Sequence, residues 1–287
     1  MQKKQGEMLH SMIDNLLCEI IDEEVQSNEV ALLLSGGVDS ISLGMSAQRL
    51  GKKVSAYTFH LEGEPSYDSN TAQDVAKTLG WNIDVTIVPK TNLKEDFFTL
   101  LKEYDCKKKT HFECTHFGLY LYPRIKEKYI LSGIAADGWY GVSKKARINF
   151  IQTKEKFDDF RDRYFGADNP AGILQQKMLA ENYNKVLVHP YLWHDKVKDF
   201  FMQYDWNELH QNKTEKYHVR TCYQNEFSKL NKIKTHLNLQ LESKTDIMFE
   251  KLLDDIEINF KRRSRVMDIC RDWSLLNTST NTLEDFM

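Results

Sequence analysis

The stretch Ala31–Gly44, ALLLSGGVDSISLG, joins a short apolar run to a glycine turn and then to a second apolar segment. Val30–Leu34 is apolar and bounded by the turn, which predicts a short buried strand. Ile41–Leu50 has the spacing of a helix that follows the turn. The segment Ser35–Ser40, SGGVDS, is therefore expected between the carboxyl end of a buried strand and the amino end of a helix.

This turn has the residue types that bind an anion. Gly36 and Gly37 carry no side chain, so the backbone can approach a ligand closely and adopt positive φ. The helix that starts near Ser40 offers free N–H groups to negative charge. Asp39 would repel an anion unless Mg²⁺ lay between them, and Mg²⁺ favours one or two carboxylates plus phosphate oxygens. The turn predicts a pyrophosphate site with Mg²⁺; the alternative is a tight turn in which Asp39 caps the helix.

The composition is that of an ordinary globular protein. The chain has 287 residues, 41% hydrophobic and 28% charged, with a formal net charge of -3. This balance gives no reason to expect that the whole molecule binds nucleic acid or a membrane surface. No apolar run approaches the roughly 20 residues of a membrane helix, and the first residues lack the features of a signal peptide. A cytoplasmic location is the resulting expectation.

The five cysteines are scattered and contain no CxxC pair, which argues against a disulfide framework or a zinc ribbon. Cys106 and Cys114 flank His111, and His116 is close by, so these four residues are a candidate metal cluster. Their spacing fits no common zinc pattern. The other interpretation is that the cysteines are reduced, partly buried thiols.

Strand-like and helix-like segments alternate along the first half of the chain. Strands are predicted at Val30–Leu34, Lys53–Phe59, Asn82–Pro89 and Lys128–Gly133, and helices at Met8–Ile21, Ile41–Leu50, Asp68–Gly80, Leu93–Tyr104 and about Phe117–Glu127. This alternation predicts an α/β fold, a parallel sheet with helices on both faces. Ligands of such sheets bind at the carboxyl ends of the strands, where the turns after Leu34 and Leu131 lie. From about Phe157 onward the pattern is mostly helical, and this half is expected to pack on the sheet.

Two motifs carry a resemblance to known enzymes. SGGVDS resembles the signature of the PP-loop ATP pyrophosphatases, which cleave ATP between its α and β phosphates and leave an adenylated substrate. The second turn, ILSGIAADGWYG, resembles a motif of asparagine synthetases and matches it at Ser132, Gly133, Asp137 and Gly141. The resemblance is therefore to the synthetase domain of that family.

Three further segments support the same family. EKYHVRTCY is similar to the family's Lys-x-x-hydrophobic-Arg helix and matches it at Lys216 and Arg220. FHLEGEPSYDSNTAQDVAKTLGW and VHPYLWHDKVKDFF resemble its second strand with the following helix and its Pro-Phe-Leu-Asp segment. The matches keep the family's order over about Leu9–Tyr223. We expect residues 1–225 to form the synthetase-like domain and residues 226–287 to be a helical extension packed on it.

The resemblance implies ATP and Mg²⁺ as ligands and assigns each a set of residues. The implied pyrophosphate and magnesium residues are Ser35, Gly36, Gly37, Asp39 and Ser40, and the implied adenosine residues are Leu33, Phe59, Ser132 and Gly133. Asp137 would bind a second Mg²⁺ or position the pyrophosphate. Lys216 would neutralise charge on the α-phosphate during adenylation. Without the motif, Lys216 would be interpreted as an exposed helix lysine.

The chain departs from the family at two motif positions. Ile134 and Gly138 stand where the family has glutamates, and the first of these resembles a substrate-contacting or general-base position. Isoleucine cannot accept a proton. Either another group deprotonates the amine, with His116, Glu113 and His189 as candidates, or the amine arrives neutral. The apolar side chain of Ile134 could also fit an apolar part of the substrate.

The segment before the first predicted strand is too short to hold the family's glutaminase domain. Free ammonia, an amine substrate or a separate glutaminase subunit would then supply the nitrogen, and a homodimer is a further expected assembly. The resulting hypothesis is an ATP-dependent, AMP-forming ligase that converts a small-molecule carboxylate to an amide. Because Ile134 replaces the glutamate, asparagine itself is not the favoured product.

Two alternatives to this hypothesis remain open at the level of sequence. One is a tRNA- or nucleobase-modifying PP-loop enzyme, which the basic run KRRSR at Lys261–Arg265 would suit if it is more than a solvated helix face. The other is a non-catalytic ATP-binding subunit, which would bind nucleotide without releasing pyrophosphate.

Overall fold

A computed structural model describes residues 2–106, 109–166, 172–192, 195–211, 214–230, 233 and 243–255. The strands are β1 Glu29–Leu33, β2 Lys53–Leu61, β3 Asn82–Val88, β4 Tyr129–Leu131 and β5 Val186–Val188. They form one parallel sheet in the order β3–β2–β1–β4–β5. The predicted parallel α/β fold is thereby confirmed.

Helices follow the strands and make up most of the second half. Their bounds are α1 Gln2–Glu24, α2 Val38–Arg49, α3 Tyr67–Leu79, α4 Leu93–Glu103, α5 Lys109–Thr115, α6 Gly118–Leu121, α7 Ala136–Tyr140, α8 Lys144–Asn149, α9 Lys154–Gly166, α10 Ile173–Asn182, α11 Asp195–Phe201, α12 Trp206–Leu209, α13 Tyr217–Cys222, α14 Gln224–Phe227 and α15 Thr245–Asp255, with a 3₁₀ turn at Tyr122–Arg124. Within the described ranges, no helix has the length and apolar character that crossing a membrane requires.

Both faces of the sheet are buried at the central strands β1 and β4, which explains why these two strands are apolar without alternation. In β1, Val30 and Leu32 belong to the core formed with α1, α2 and α3, whereas Ala31 belongs to the core formed with α4, α5 and α6. In β4, Leu131 and Ile130 divide between the two cores in the same way. Helices therefore cover both faces, as the sequence predicts.

The strand order brings the two glycine turns together. From β1 the chain runs outward through β2 to β3 on one side, and β4 then returns to pair with β1 on the other. The pairs Ala31↔Ile130 and Leu32↔Leu131 align the carboxyl ends of β1 and β4. A reversal of this kind opens a crevice at the edge of the sheet, which is the usual ligand position in α/β folds.

Several details of the predicted elements are wrong, and helix α5 was not predicted at all. Strand β5 was not predicted. Its three residues are too few to show a pattern, and they lie in a segment that was interpreted as helical. The helix predicted over Phe117–Glu127 is broken into α6 and the 3₁₀ turn, since Pro123 has no N–H to continue an α-helix. Helix α2 begins at Val38, three residues before the predicted start.

The described part of the C-terminal segment packs on the body of the protein. In α15, Phe249 is buried and its ring lies 6.4 Å from that of Phe97 and 5.9 Å from that of Phe112. Ahead of this helix, Lys244 pairs with Glu64 in the loop after β2 at 2.8 Å. The KRRSR run lies outside the described residues.

Candidate active site

A cavity of 390 Å³ lies at the carboxyl ends of β1 and β4. Ligand pockets typically measure about 300–1,000 Å³. The sequence-predicted residues that line it are Leu33, Ser35, Gly37, Asp39, Ser40, Phe59, Ser132, Gly133 and Asp137. Gly36 and Lys216 do not line the cavity themselves but contact the elements that do. The structure thus brings the predicted residues to one place.

The first glycine turn is tightly folded. Gly36 has φ +75°, and a Cβ there would lie 2.7 Å from Cγ2 of Thr71 in α3. The Ser40 hydroxyl donates to the Gly37 carbonyl at 3.1 Å, and the Gly37 N–H donates to the Ser35 hydroxyl at 3.3 Å. Positive φ and the close approach of α3 together require glycine at position 36.

Replacing Gly36 with alanine is expected to lower the free energy of unfolding by more than the backbone strain of an alanine at positive φ accounts for. Gly51 is a matched control, because it has φ +76° but nothing within 4 Å of its would-be Cβ. Gly51→Ala should cost roughly 1–2 kcal/mol from backbone strain. Gly36→Ala should cost about 1–3 kcal/mol more from the clash with Thr71. Urea denaturation of both variants measures the difference, and equal losses would contradict this account of the turn.

The second turn packs against the first, backbone to backbone. A Cβ on Gly133 would lie 3.0 Å from the amide nitrogen of Ser40 and 3.1 Å from the carbonyl carbon of Asp39. Ser132 is fixed to the neighbouring strand, since its N–H donates to the Val188 carbonyl at 3.0 Å. The absence of a side chain at Gly133 therefore sets how closely the two turns approach.

Lys216 joins the two turns through their carboxylates. Its Nζ lies 2.5 Å from Oδ2 of Asp39 and 2.6 Å from Oδ1 of Asp137, and its side chain is fully buried. The interpretation of Lys216 as an exposed helix lysine is therefore wrong. Asp39 does not cap α2 either, because the N-cap is Gly37 and Asp39 is the second helical residue.

The charges of this triad favour a protonated lysine. Burial lowers the pKa of Lys216, but the charges of Asp137 and Asp39 and the hydrogen bonds to them raise it more, so the net shift is upward. Within this triad one cation is bonded to two carboxyl groups, so oxygen ligands remain available to the cavity. Oxygen ligands of this kind suit a hard divalent cation.

His210 holds the backbone at Lys216, a contact that no sequence pattern indicates. Its Nε2 lies 2.7 Å from the Tyr140 carbonyl, and its Nδ1 lies 3.3 Å from the Lys216 N–H. A carbonyl can only accept and an N–H can only donate, so these partners assign the neutral tautomer with the proton on Nε2. The contact supports a strained position, since Lys216 has φ +52°.

Acid is expected to destabilise the fold through His210. Burial lowers its pKa from 6.5 to about 4, so the unfolded chain takes up the proton first as the pH falls. The neutral His210 side chain makes its full contribution to the free energy of unfolding above about pH 6.5. As the pH falls towards 4, that free energy decreases by up to about 3 kcal/mol. In urea denaturation across this range, His210→Gln should show a shallower pH slope than the parent protein. An unchanged slope would contradict the assignment.

Part of the acid sensitivity should persist in that variant. Burial lowers the pKa of His189 to about 3, so its protonation also favours the unfolded chain.

His189, Glu113 and His116 were the candidates for deprotonating the amine, and none of the three lines the cavity. His116 instead bonds Asp96 at 2.8 Å and packs edge-on against Phe249.

The candidate metal cluster of Cys106, His111, Cys114 and His116 does not assemble. Among the residues that the structure describes, no group of three or more His, Cys, Asp or Glu side chains is arranged to hold a metal ion. Cys106 and Cys114 are buried and form no disulfide, in agreement with the interpretation as reduced thiols.

Several residues that line the cavity were not anticipated from the sequence. They include Tyr57, Asp68, Phe160, Tyr164, Gln176 and Ser243. Phe160 and Tyr164 have the helical spacing of ordinary core positions, so their sequence pattern does not mark them as site residues. Ser243 shows that the segment after residue 225 contributes to the cavity wall.

The comparison with protein families agrees with the geometry. A family model described as asparagine synthase matches residues 13–188, which is more than half of the chain. The matched region includes all five strands and both glycine turns, and Lys216 lies beyond it. No curated protein matches the chain significantly.

Proposed function

Because the chain belongs to the asparagine synthase family, we propose that it is an ATP-dependent ligase that releases AMP and pyrophosphate and forms an amide. The family uses ATP and acts on a small-molecule carboxylate and ammonia. The observation that supports the proposal is the bridge from Lys216 to Asp39 and Asp137 at the meeting point of the two turns. A structural lysine alone would not need both carboxylates to face a cavity.

In the proposed reaction, a carboxylate oxygen of the acceptor attacks the α-phosphorus of ATP. The bond from that phosphorus to the bridging oxygen breaks, and pyrophosphate leaves with the electron pair. Ammonia or an amine then attacks the acyl carbon of the adenylate, passes its excess proton to solvent water and expels AMP. Reactions of this type are catalysed mainly by positioning and by stabilisation of charge.

We assign the phosphate-binding role to the first turn. The N–H groups at the start of α2 and the Ser35 hydroxyl would donate to the pyrophosphate, and the Ser40 hydroxyl would do so once it turns from the Gly37 carbonyl. Gly36 and Gly37 permit the approach of the pyrophosphate. Lys216 supplies the positive charge that the α-phosphate needs as it is attacked. Before nucleotide binds, the same charge keeps the two aspartates from repelling each other.

The second turn and β2 hold the adenosine in this proposal. Leu33, Phe59, Ser132 and Gly133 line the cavity together. The Phe59 ring stacks on that of Phe117 with centroids 4.6 Å apart, which gives this wall a flat apolar surface. A purine ring suits such a surface.

Asp39 and Asp137 would hold Mg²⁺, because both carboxylates line the cavity and oxygen ligands fit this ion. Bound there, Mg²⁺ would supply neutralisation of phosphate charge. Since Ile134 cannot accept a proton and the three candidate bases lie outside the cavity lining, we propose that the nitrogen donor arrives neutral. Free ammonia, an amine or a separate glutaminase subunit would deliver it.

The test is a carboxylate panel with Mg²⁺-ATP and hydroxylamine, which captures acyl-adenylates as hydroxamates. We expect AMP and pyrophosphate in equal amounts by ³¹P NMR, dependent on the carboxylate. Formation of ADP and phosphate would contradict the proposed cleavage. ATP binding with no AMP formation for any acceptor would favour the non-catalytic subunit.

A further inference from the structure

The cavity wall next to the second turn is apolar and aromatic, whereas the rest of the cavity lining includes carboxylates. Ile134 and Gly138 line it where the family resemblance leads one to expect glutamates, and Phe160 and Tyr164 of α9 line it as well. A Cβ on Gly138 would lie only 2.4 Å from Cε1 of Tyr164. The missing side chain at position 138 therefore makes room for the tyrosine ring.

The Tyr164 ring is held in place by other aromatic side chains. Its centroid lies 6.0 Å from that of Phe160 and 4.9 Å from that of Phe165. Phe165 in turn stacks on the buried Trp139 at 4.0 Å. Such contacts restrain ring orientation, so the wall presents a fixed aromatic surface.

The charge of the cavity limits what can bind against this wall. The described lining residues include three carboxylates, Asp39, Asp68 and Asp137, but no lysine or arginine. The positive charge of Lys216 is already bonded to Asp39 and Asp137. Among the lining residues that the structure describes, a second carboxylate on an acceptor would lose hydration and meet no cationic side chain, which is unfavourable.

We infer that the acceptor is a monocarboxylic acid with an aromatic or similarly flat apolar body, bound against Ile134, Phe160 and Tyr164. Aspartate is disfavoured, because its ammonium and its second carboxylate would both lose hydration against the apolar side chains of this wall. This inference rests on the proposed function for the identity of the site. It adds the substrate class, which family membership leaves open.

The experiment measures equilibrium binding, so that it does not depend on turnover. Calorimetry with Mg²⁺ and α,β-methylene-ATP, which resists cleavage between the α and β phosphates, would compare benzoate, phenylacetate and indole-3-acetate with aspartate and glutamate. We expect at least one aryl acid to bind at least tenfold more tightly than either amino acid.

Variants of the wall test whether Tyr164 makes the contact. Tyr164→Ala should weaken the aryl acid at least tenfold, whereas Tyr164→Phe should keep its affinity within about threefold. Gly138→Ala should also weaken it by displacing the ring. Gly166→Ala is the matched control on α9, because nothing lies within 4 Å of its would-be Cβ. All four variants should bind the ATP analogue as the parent does.

The inference would be overturned if the amino acids bound as tightly as the aryl acids, if no aryl acid bound, or if Tyr164→Ala left aryl binding unchanged. Binding of an aryl acid without AMP formation would instead contradict the proposed ligase and leave the inferred ligand class standing.

Discussion

Lys216→Met is expected to lower AMP formation by at least about 10³-fold, because the variant has no cation for the charge on the α-phosphate. It should also lower the free energy of unfolding by about 3–5 kcal/mol, the usual cost of removing one partner from a buried ion pair. Methionine nearly matches the length of the lysine stem, so the loss reports charge more than volume. What remains is two carboxylates, Asp39 and Asp137, that face each other without their cation.

The measurements are AMP release by ³¹P NMR and urea denaturation without Mg²⁺. Lys198→Met is the matched control, since Lys198 is partly exposed and its pairing with Asp162 is long at 3.5 Å. Exposed pairs contribute at most about 1 kcal/mol, so this variant should resemble the parent. Sustained AMP formation by Lys216→Met would remove Lys216 from the mechanism.

Asp39→Asn is expected to reduce AMP formation as severely but to cost much less stability. The substitution leaves Lys216 and Asp137 as a neutral one-to-one pair, and asparagine has nearly the same shape as aspartate. The proposed Mg²⁺ site, however, loses one of its two carboxylates. We therefore expect any residual activity to require more Mg²⁺ than the parent, measured by titration of Mg²⁺ at fixed ATP.

A double-mutant cycle separates the contributions to stability. Lys216→Met combined with Asp39→Asn removes the like-charge repulsion that the lysine variant alone creates. The double variant should therefore be more stable than the sum of the two single losses predicts. Strictly additive losses, or Asp39→Asn as destabilising as Lys216→Met, would contradict the charge balance assigned to this triad.

The sheet and its first turn were predictable because their signals are local. An apolar run, two glycines and a helical pattern all fall within Ala31–Gly44, and each depends on neighbouring residues only. Strand β5 was not predictable from the sequence, since three residues are too few to show periodicity. The break after α6 could have been found from Pro123.

The site needed information that local patterns do not contain. Lys216 reaches Asp39 across 177 positions of sequence, and only the family resemblance suggested that they act together. The packing of Tyr164 over Gly138 and the support of Lys216 by His210 depend on how helices meet in space. The sequence analysis noted Gly138 where the family has glutamate but did not anticipate that the Tyr164 ring packs over it.

The most direct test of the central claim is a crystal structure with Mg²⁺ and α,β-methylene-ATP. The account predicts the β- and γ-phosphates against Ser35–Ser40, the adenosine beside Gly133, and Lys216 directed at the α-phosphate. A nucleotide bound elsewhere on the protein, with both glycine turns empty, would contradict it.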